Sequence, residues 1–277
     1  YREHTTVPLS DALPMLENMG MRVIGEVPYE VTYIDGSQVW INDFIMTYAT
    51  ESSFIVEEVR DIFQEAFFRI WRGDAENDPF NRLVLEAQLT WREISLLRAY
   101  TKYLRQAGFT FSLDYIAETF VNNPLIACLL IDLFNCYFDP KIAKKSEGKA
   151  QEIEKQIYES LEAVAVLDED RIIRRCLELI KATLRTNYYQ LDESGSPKKY
   201  ISFKFDPRKI PDLPLPLPRY EIFVYSPDFE GVHLRSAKVA RGGIRWSDRR
   251  EDFRTEILGL MKAQKVKNAL IVPAGAK

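Results

Sequence analysis

Histidine and cysteine are scarce in this sequence: His4 and His233, with Cys128, Cys136 and Cys176, are all that 277 residues contain. A histidine relay or a His/Cys metal site therefore has almost no raw material, and lysine and carboxylate groups must carry any chemistry. One cluster near the C-terminal end has suitable types. Phe253, Ile257, Leu260, Gln264 and Lys267 follow at spacings of four, three, four and three, which puts all five on one stripe of a helix. Three apolar residues lead into two polar ones, as expected where a buried face emerges into a cleft. Arg241-Gly242-Gly243 lies just upstream, and Gly275-Ala276-Lys277 follows the next apolar run. Paired glycines at a strand end let backbone approach a ligand closely, and a lysine after a Gly-Ala turn can point into the same space. Each feature also has a plain structural reading, Gly-Gly as an ordinary turn and Lys267 as a lysine snorkelling to solvent. Together they describe several cations converging on a small dianionic acid, with Lys262 and Lys265 off the stripe and exposed.

The elements that must position these residues are read from periodicity. Asp248 and Glu251 have capping-box spacing, which predicts a helix from 248 to about 267, followed by a short buried strand over 269–272. Arg245, Arg249, Arg250 and Arg254 interleave with Asp248, Glu251 and Asp252, so that run reads as a solvated, salt-bridged helix start. Short β runs cover 200–205, 220–225 and 232–240, while 207–218, with five prolines, is an extended connector. A polar stretch around Gly195 and Pro197 marks a boundary near 190–199.

Upstream of that boundary, 78–190 reads as four to six packed helices without a strand. Asp78-Pro79 opens a long helix whose apolar face runs through Leu83, Ala87, Trp91, Ile94, Leu97 and Leu104 to a stop at Gly108. Ser112, Asn123 and Asp168 are further N-caps, and the Glu/Lys-rich stretch 151–162 is a solvated helix face. At the N-terminal end, a helix over 9–20 (Leu9, Leu13, Leu16) precedes β runs over 21–34 and 38–48 and a helix over 53–71 carrying Ile55, Val59, Ile62 and Ala66. Asp35-Gly36 between the β runs predicts a type I′ hairpin turn. The fold class is α+β in several regions: a partial ferredoxin-like α/β unit over 1–72 whose first strand lies before Tyr1, an all-α helical domain over 78–190, and the start of an α/β domain over 199–277.

Composition narrows the function classes. Lys+Arg of 37 against Asp+Glu of 41 leaves no basic excess for a phosphate backbone, which argues against nucleic acid. No apolar run reaches the ~20 residues that span a bilayer, because the longest, 125–134, is short and contains Asp132. Three dispersed cysteines suit a reducing cytoplasm. The absence of an initiator Met and of a secretory layout leads us to expect a piece of a longer polypeptide.

At this point the residues carry a resemblance. Ala240-Arg241-Gly242-Gly243-Ile244-Arg245, Gln264-Lys265-Val266-Lys267-Asn268-Ala269 and Pro273-Ala274-Gly275-Ala276-Lys277 resemble the substrate-binding core of the glutamate dehydrogenase superfamily. The fuller string from Val239 to Lys277 resembles the large bacterial NAD-specific glutamate dehydrogenases in particular, and 8–18 with the helical region resembles their N-terminal extension. The resemblance implies reversible oxidative deamination of L-glutamate to 2-oxoglutarate and ammonium with NAD. It implies that Lys267 binds a substrate carboxylate with Gln264 as its partner, that Arg241, Gly242 and Gly243 line the substrate, and that Lys277 is the catalytic lysine. Two departures accompany it: Arg241 stands where smaller relatives have lysine, and the Lys277 turn has a single glycine.

No Gly-x-Gly-x-x-Gly follows a strand, so the NAD-binding domain is expected outside these residues and the chain alone is expected to be inactive. A different class of function is also open: a regulatory or assembly module, in which an ACT-like unit over 1–72 senses an amino acid and the helical domain holds a homo-oligomer together. Calorimetric binding of free amino acids to 1–72 would distinguish it from 2-oxoglutarate binding that depends on Lys267.

Overall fold

The computed structural model describes residues 8–48, 55–142, 147–237, 240–241, 246–249, 252–267 and 272–273; for 147, 240, 241, 264–267, 272 and 273 it describes the backbone alone. The chain forms two compact units, Tyr1–Ile94 and Ser95–Lys277. In the first, α1 (Leu9–Asn18), β1 (Met21–Thr32), β2 (Gln38–Tyr48) and α2 (Val56–Trp71) follow in the expected helix–strand–strand–helix order. Ala12 and Leu16 of α1 and Val59, Ala66 and Ile70 of α2 are buried, whereas Ile55 is exposed and Ile62 half-buried, so the buried arc of α2 is rotated from the stripe that spacing suggested. A hollow of about 410 Å³ is lined by Leu16, Phe44, Phe63, Phe67 and Trp71 with the amides of Asn42 and Gln64.

The β1–β2 hairpin is antiparallel, with Thr32 opposite Gln38, but its turn is not type I′. Tyr33 N–H donates to Ser37 O (2.8 Å) and Gly36 N–H to Tyr33 O (2.9 Å), closing a three-residue loop in which Gly36 alone takes a left-handed φ of 81°. The Asp35 carboxylate accepts from the Ser37 backbone N–H and hydroxyl (2.9 and 2.7 Å), a local turn of its own that removes the need for positive φ at Asp35.

The single long helix expected from Asp78 is interrupted. Asp78 does cap, accepting from Phe80 N–H at 3.1 Å, but it caps a 3-10 turn over Pro79–Arg82 that passes into the short α3 (Leu83–Glu86). The chain then breaks at Gln88, whose φ is 52°, and restarts as α4 (Trp91–Gln106), inside which the division between the units falls. The restart is built by a capping box: Glu93 Oε2 accepts from Thr90 N–H (2.8 Å) and Thr90 Oγ1 accepts from Glu93 N–H (3.3 Å).

The second unit continues with α5 (Leu113–Asn122), α6 (Pro124–Phe138), α7 (Glu147–Leu161) and α8 (Leu167–Ala182). Ser112 caps α5 as expected. Asn123 instead donates its amide to Thr119 O and Glu169 while Pro124 opens α6, and Asp168 lies inside the first turn of α8, whose N-cap position is Val166. Among the described residues no single helix is long and apolar enough to cross a membrane; the apolar α6 is instead a core helix, with Leu130, Leu133 and Phe134 fully buried.

A strand appears where only helices were expected. Directly after α8, β3 (Thr183–Thr186) pairs antiparallel with β4 (Ile201–Phe205), and β5 (Tyr220–Tyr225) and β6 (Glu230–Arg235) complete a sheet in the order β3-β4-β5-β6. Four residues fused to a helix end are too short to show an alternation in sequence. The sheet's buried face carries Ile201, Phe203, Phe205, Phe223, Tyr225, Val232, Leu234 and one carboxylate, Glu221. Tyr100 and Tyr103 of α4 lie on that face, with ring centroids 4.3 Å from Phe203 and 4.5 Å from Phe205 respectively. The β run expected over 232–240 divides into β6 and the two-residue β7 (Ala240–Arg241); α9 (Phe253–Lys267) and β8 (Val272–Pro273) follow.

Candidate functional site

The C-terminal elements form a strand–helix–strand crossover in which β7 and β8 are parallel and α9 joins them. Their register sets Ala240 beside Val272 and Arg241 beside Pro273. Arg241 and Pro273 are thus the last described residues of neighbouring parallel strands, and in α/β proteins ligand-binding turns gather at the carboxyl ends of such strands. Gln264 and Lys267 occupy the last turn of α9, three residues apart and on one side of its backbone. The four residues after Lys267 limit its Cα to at most about 18 Å from that of Val272. Gly242, Gly243 and Lys277 lie outside the described residues. The structure thus brings Arg241 to the β8 end and puts Gln264 and Lys267 on the connecting helix, without describing Lys277 against them.

The seat of α9 differs from the stripe read by spacing. Phe253, Arg254, Ile257, Leu258 and Met261 are buried, while Leu260 is half-buried. Gln264 and Lys267 follow in the last turn, where the backbone alone is described. The helix also begins at Phe253 rather than Asp248.

The larger correction concerns Arg254. Assigned by pattern to a solvated run, it is instead wholly buried, and its guanidinium makes a two-pronged contact with Glu221: Nε to Oε1 at 2.5 Å and Nη2 to Oε2 at 2.9 Å, both side chains at most 1% exposed. Burial alone would lower the Arg254 pKa, and the Glu221 carboxylate together with Tyr103 more than offsets it, so the net shift is upward. The Tyr103 hydroxyl is buried beside the pair, and burial, reinforced by the Glu221 charge, pushes its pKa well above the ordinary value. Arg254 backbone N–H donates to Gln106 Oε1 (3.2 Å), Gln106 Nε2 donates to Glu230 Oε2 (3.2 Å), and Lys102 pairs with Glu230 at 3.6 Å. The available signal was positional: Arg254 stands three and four residues before Ile257 and Leu258, and Glu221 takes an inward register of an alternating strand. Of the described residues of that run, Arg249 behaves as expected, paired to Asp252 in solvent, while Arg245, Arg250 and Glu251 lie outside the described residues.

Among the described residues no cluster of His, Cys, Asp and Glu could hold a metal ion. His233 on β6 is half-buried; burial, then Arg235, lowers its pKa.

The described residues thus form a mixed α/β chain whose C-terminal elements are a parallel strand–helix–strand crossover. Known families agree along the sequence. Residues 156–277 match "Bacterial NAD-glutamate dehydrogenase, catalytic domain", residues 75–140 match "Glutamate dehydrogenase, helical motif 3", and residues 1–59 match "Glutamate dehydrogenase, ACT3 domain". The chain is 56% identical over 280 residues to the NAD-specific glutamate dehydrogenase of Pseudomonas aeruginosa, covering 100% of this chain and 17% of that protein. The proteins of the same description from Halomonas elongata (56% over 271 residues) and Mycobacterium tuberculosis (48% over 279 residues) each cover 98% of this chain and 17% of their own length. The chain belongs to the NAD-specific glutamate dehydrogenase family, and it spans about a sixth of the length of these relatives.

Proposed function

We propose that this chain is the part of an NAD-dependent glutamate dehydrogenase that grips the substrate and presents the catalytic lysine. The observation that carries the reading is the parallel pairing of Arg241 with Pro273, the residues that immediately precede Gly242-Gly243 and Ala274-Gly275-Ala276-Lys277 in sequence. In the proposal Lys267, Gln264 and Arg241 hold the carboxylates of L-glutamate or 2-oxoglutarate, and Gly242 and Gly243 allow backbone to approach it. Lys277 moves the proton of the water that adds at the substrate Cα. That task needs an amine partly neutral near physiological pH, a state favoured by desolvation and by a neighbouring cation such as Lys267.

NAD is assigned to a domain outside these residues. Because 1–277 contains no dinucleotide fingerprint, no step through the nicotinamide is derived from this chain, and 1–277 alone is expected to be inactive. The proposal divides the chain into an ACT-like unit over 1–72, a helical domain over 78–190 and the start of the substrate domain over 199–277. It places the protein in the cytoplasm as a homo-oligomer. A second reading, that 1–72 takes an amino-acid effector, is favoured by the aromatic hollow with two side-chain amides described above.

The test is made in the full-length protein that carries this chain. Lys277→Met should abolish glutamate oxidation, and Lys267→Met should chiefly raise KM for glutamate. Near-normal turnover with Lys277→Met would overturn the assignment.

A further inference from the structure

We infer that the buried Glu221–Arg254 fork is a positioning device for the substrate lysine: it indexes α9 against α4, β5 and β6 and so sets where Gln264 and Lys267 stand relative to the β7 and β8 ends. The inference rests on the functional reading above, which made Lys267 a substrate ligand, and adds two residues that reading does not use.

The argument begins with what seats α9. Its apolar contacts, Phe253, Ile257, Leu258 and Met261, are non-directional, so they hold the helix on the sheet without selecting one axial position or one rotation. Arg254 removes that freedom. From the first turn of α9 it engages β5 through two guanidinium nitrogens, Nε and Nη2, at 2.5 and 2.9 Å, and α4 through its own backbone N–H. Gln106 and Lys102 of α4 then tie to Glu230 on β6. A planar two-pronged contact has one good geometry, whereas an ammonium or an apolar side chain in the same place would have many.

Stability alone is a poor reason for the fork. Taking both charges out of water offsets most of their attraction, and apolar pairs of similar volume commonly hold a fold as well or better. What an apolar pair would not do is fix the register. Arg254 and Lys267 are thirteen residues apart on one helix, about 20 Å at 1.5 Å per residue. A tilt of about 10° at the Arg254 end would therefore displace the Lys267 Cα by roughly 3 Å, well beyond the ~1 Å that a productive geometry tolerates.

The experiment uses the full-length protein and compares Lys267→Met, the apolar double variant Glu221→Leu/Arg254→Met, and Arg254→Lys, which keeps the charge and loses the fork. Thermal unfolding, kcat, and KM for glutamate and for NAD are measured for each. The expected result is that the double variant unfolds within a few degrees of wild type, yet its glutamate KM rises at least tenfold with NAD KM within twofold. Arg254→Lys should show a smaller rise of the same kind. A folded double variant with glutamate KM and kcat within twofold of wild type overturns the inference; if that variant does not fold, the same criterion applied to Arg254→Lys decides. Lys267→Met keeps the two ideas apart: a raised KM there with normal fork variants removes the positioning role alone, whereas an unchanged KM there removes the functional reading beneath it.

Discussion

The seating of α9 makes a prediction that separates its observed buried face from the face that spacing suggests. Leu258 is 3% exposed and Leu260 half-buried, although the heptad-like stripe includes Leu260 and omits Leu258. Truncating either to alanine removes three carbons, a transfer loss of about 2.4 kcal/mol for a fully buried leucine at ~0.8 kcal/mol per methylene. At Leu258 an enclosed cavity adds to this, giving about 3 kcal/mol in total. At Leu260 about half the side chain already meets water and the gap opens to solvent, so the loss is about 1 kcal/mol. In urea, with a slope of about 2 kcal/mol/M for a unit of this size, these become midpoint shifts of about 1.5 M and 0.5 M. The assay is urea unfolding of the 277-residue chain followed by near-ultraviolet circular dichroism, with unchanged slope as the check that the same transition is compared. A Leu260→Ala loss equal to or greater than that of Leu258→Ala would refute the burial argument and return the helix to the face read from spacing.

Two further outcomes are expected. Tyr100→Phe should destabilise the chain by about 1 kcal/mol in the same assay, because Thr183 Oγ1 already donates to Leu179 O (2.8 Å) and so accepts from the Tyr100 hydroxyl at 2.9 Å, a bond that phenylalanine cannot supply. His233 should titrate below 6.5 by NMR, since burial disfavours its charged form. Its folded pKa lies below the unfolded one, so the unfolded chain binds the proton first and stability falls as pH drops through 6.5; His233→Gln should flatten that slope, and a midpoint at or above 6.5 would contradict the burial argument.

Legibility varied with the range of the interaction that decides each feature. β5 falls on the residues its alternation marked, 220–225, and the N-terminal order of helix, two strands and helix is the one read from pattern. These are local matters of period and turn chemistry. The type of hairpin turn was not legible, because Asp35 chose between a left-handed backbone and a bond to Ser37, and the bond prevailed. The long helix from Asp78 looked continuous because apolar spacing carries across the break, while the Thr90/Glu93 box that restarts it was present in sequence and outweighed by that spacing. β3 was hidden by its length.

For the candidate site the same division holds. Sequence by itself determined the ingredients of the proposal: a scarcity of histidine and cysteine that leaves lysine as the expected working group, the spacing that sets Gln264 and Lys267 three residues apart on one helix, and the glycines on either side of that helix in sequence. Tertiary structure decided that β7 and β8 lie side by side in parallel, which arc of α9 is buried, and that Arg254 is an interior anchor rather than a solvated charge. The reason is physical: periodicity limits what a helix can bury, but whether a guanidinium leaves water depends on a partner able to replace its hydration. For the Arg254 guanidinium that partner is Glu221, 33 residues away in sequence, while Gln106, 148 residues away, accepts from the Arg254 backbone N–H.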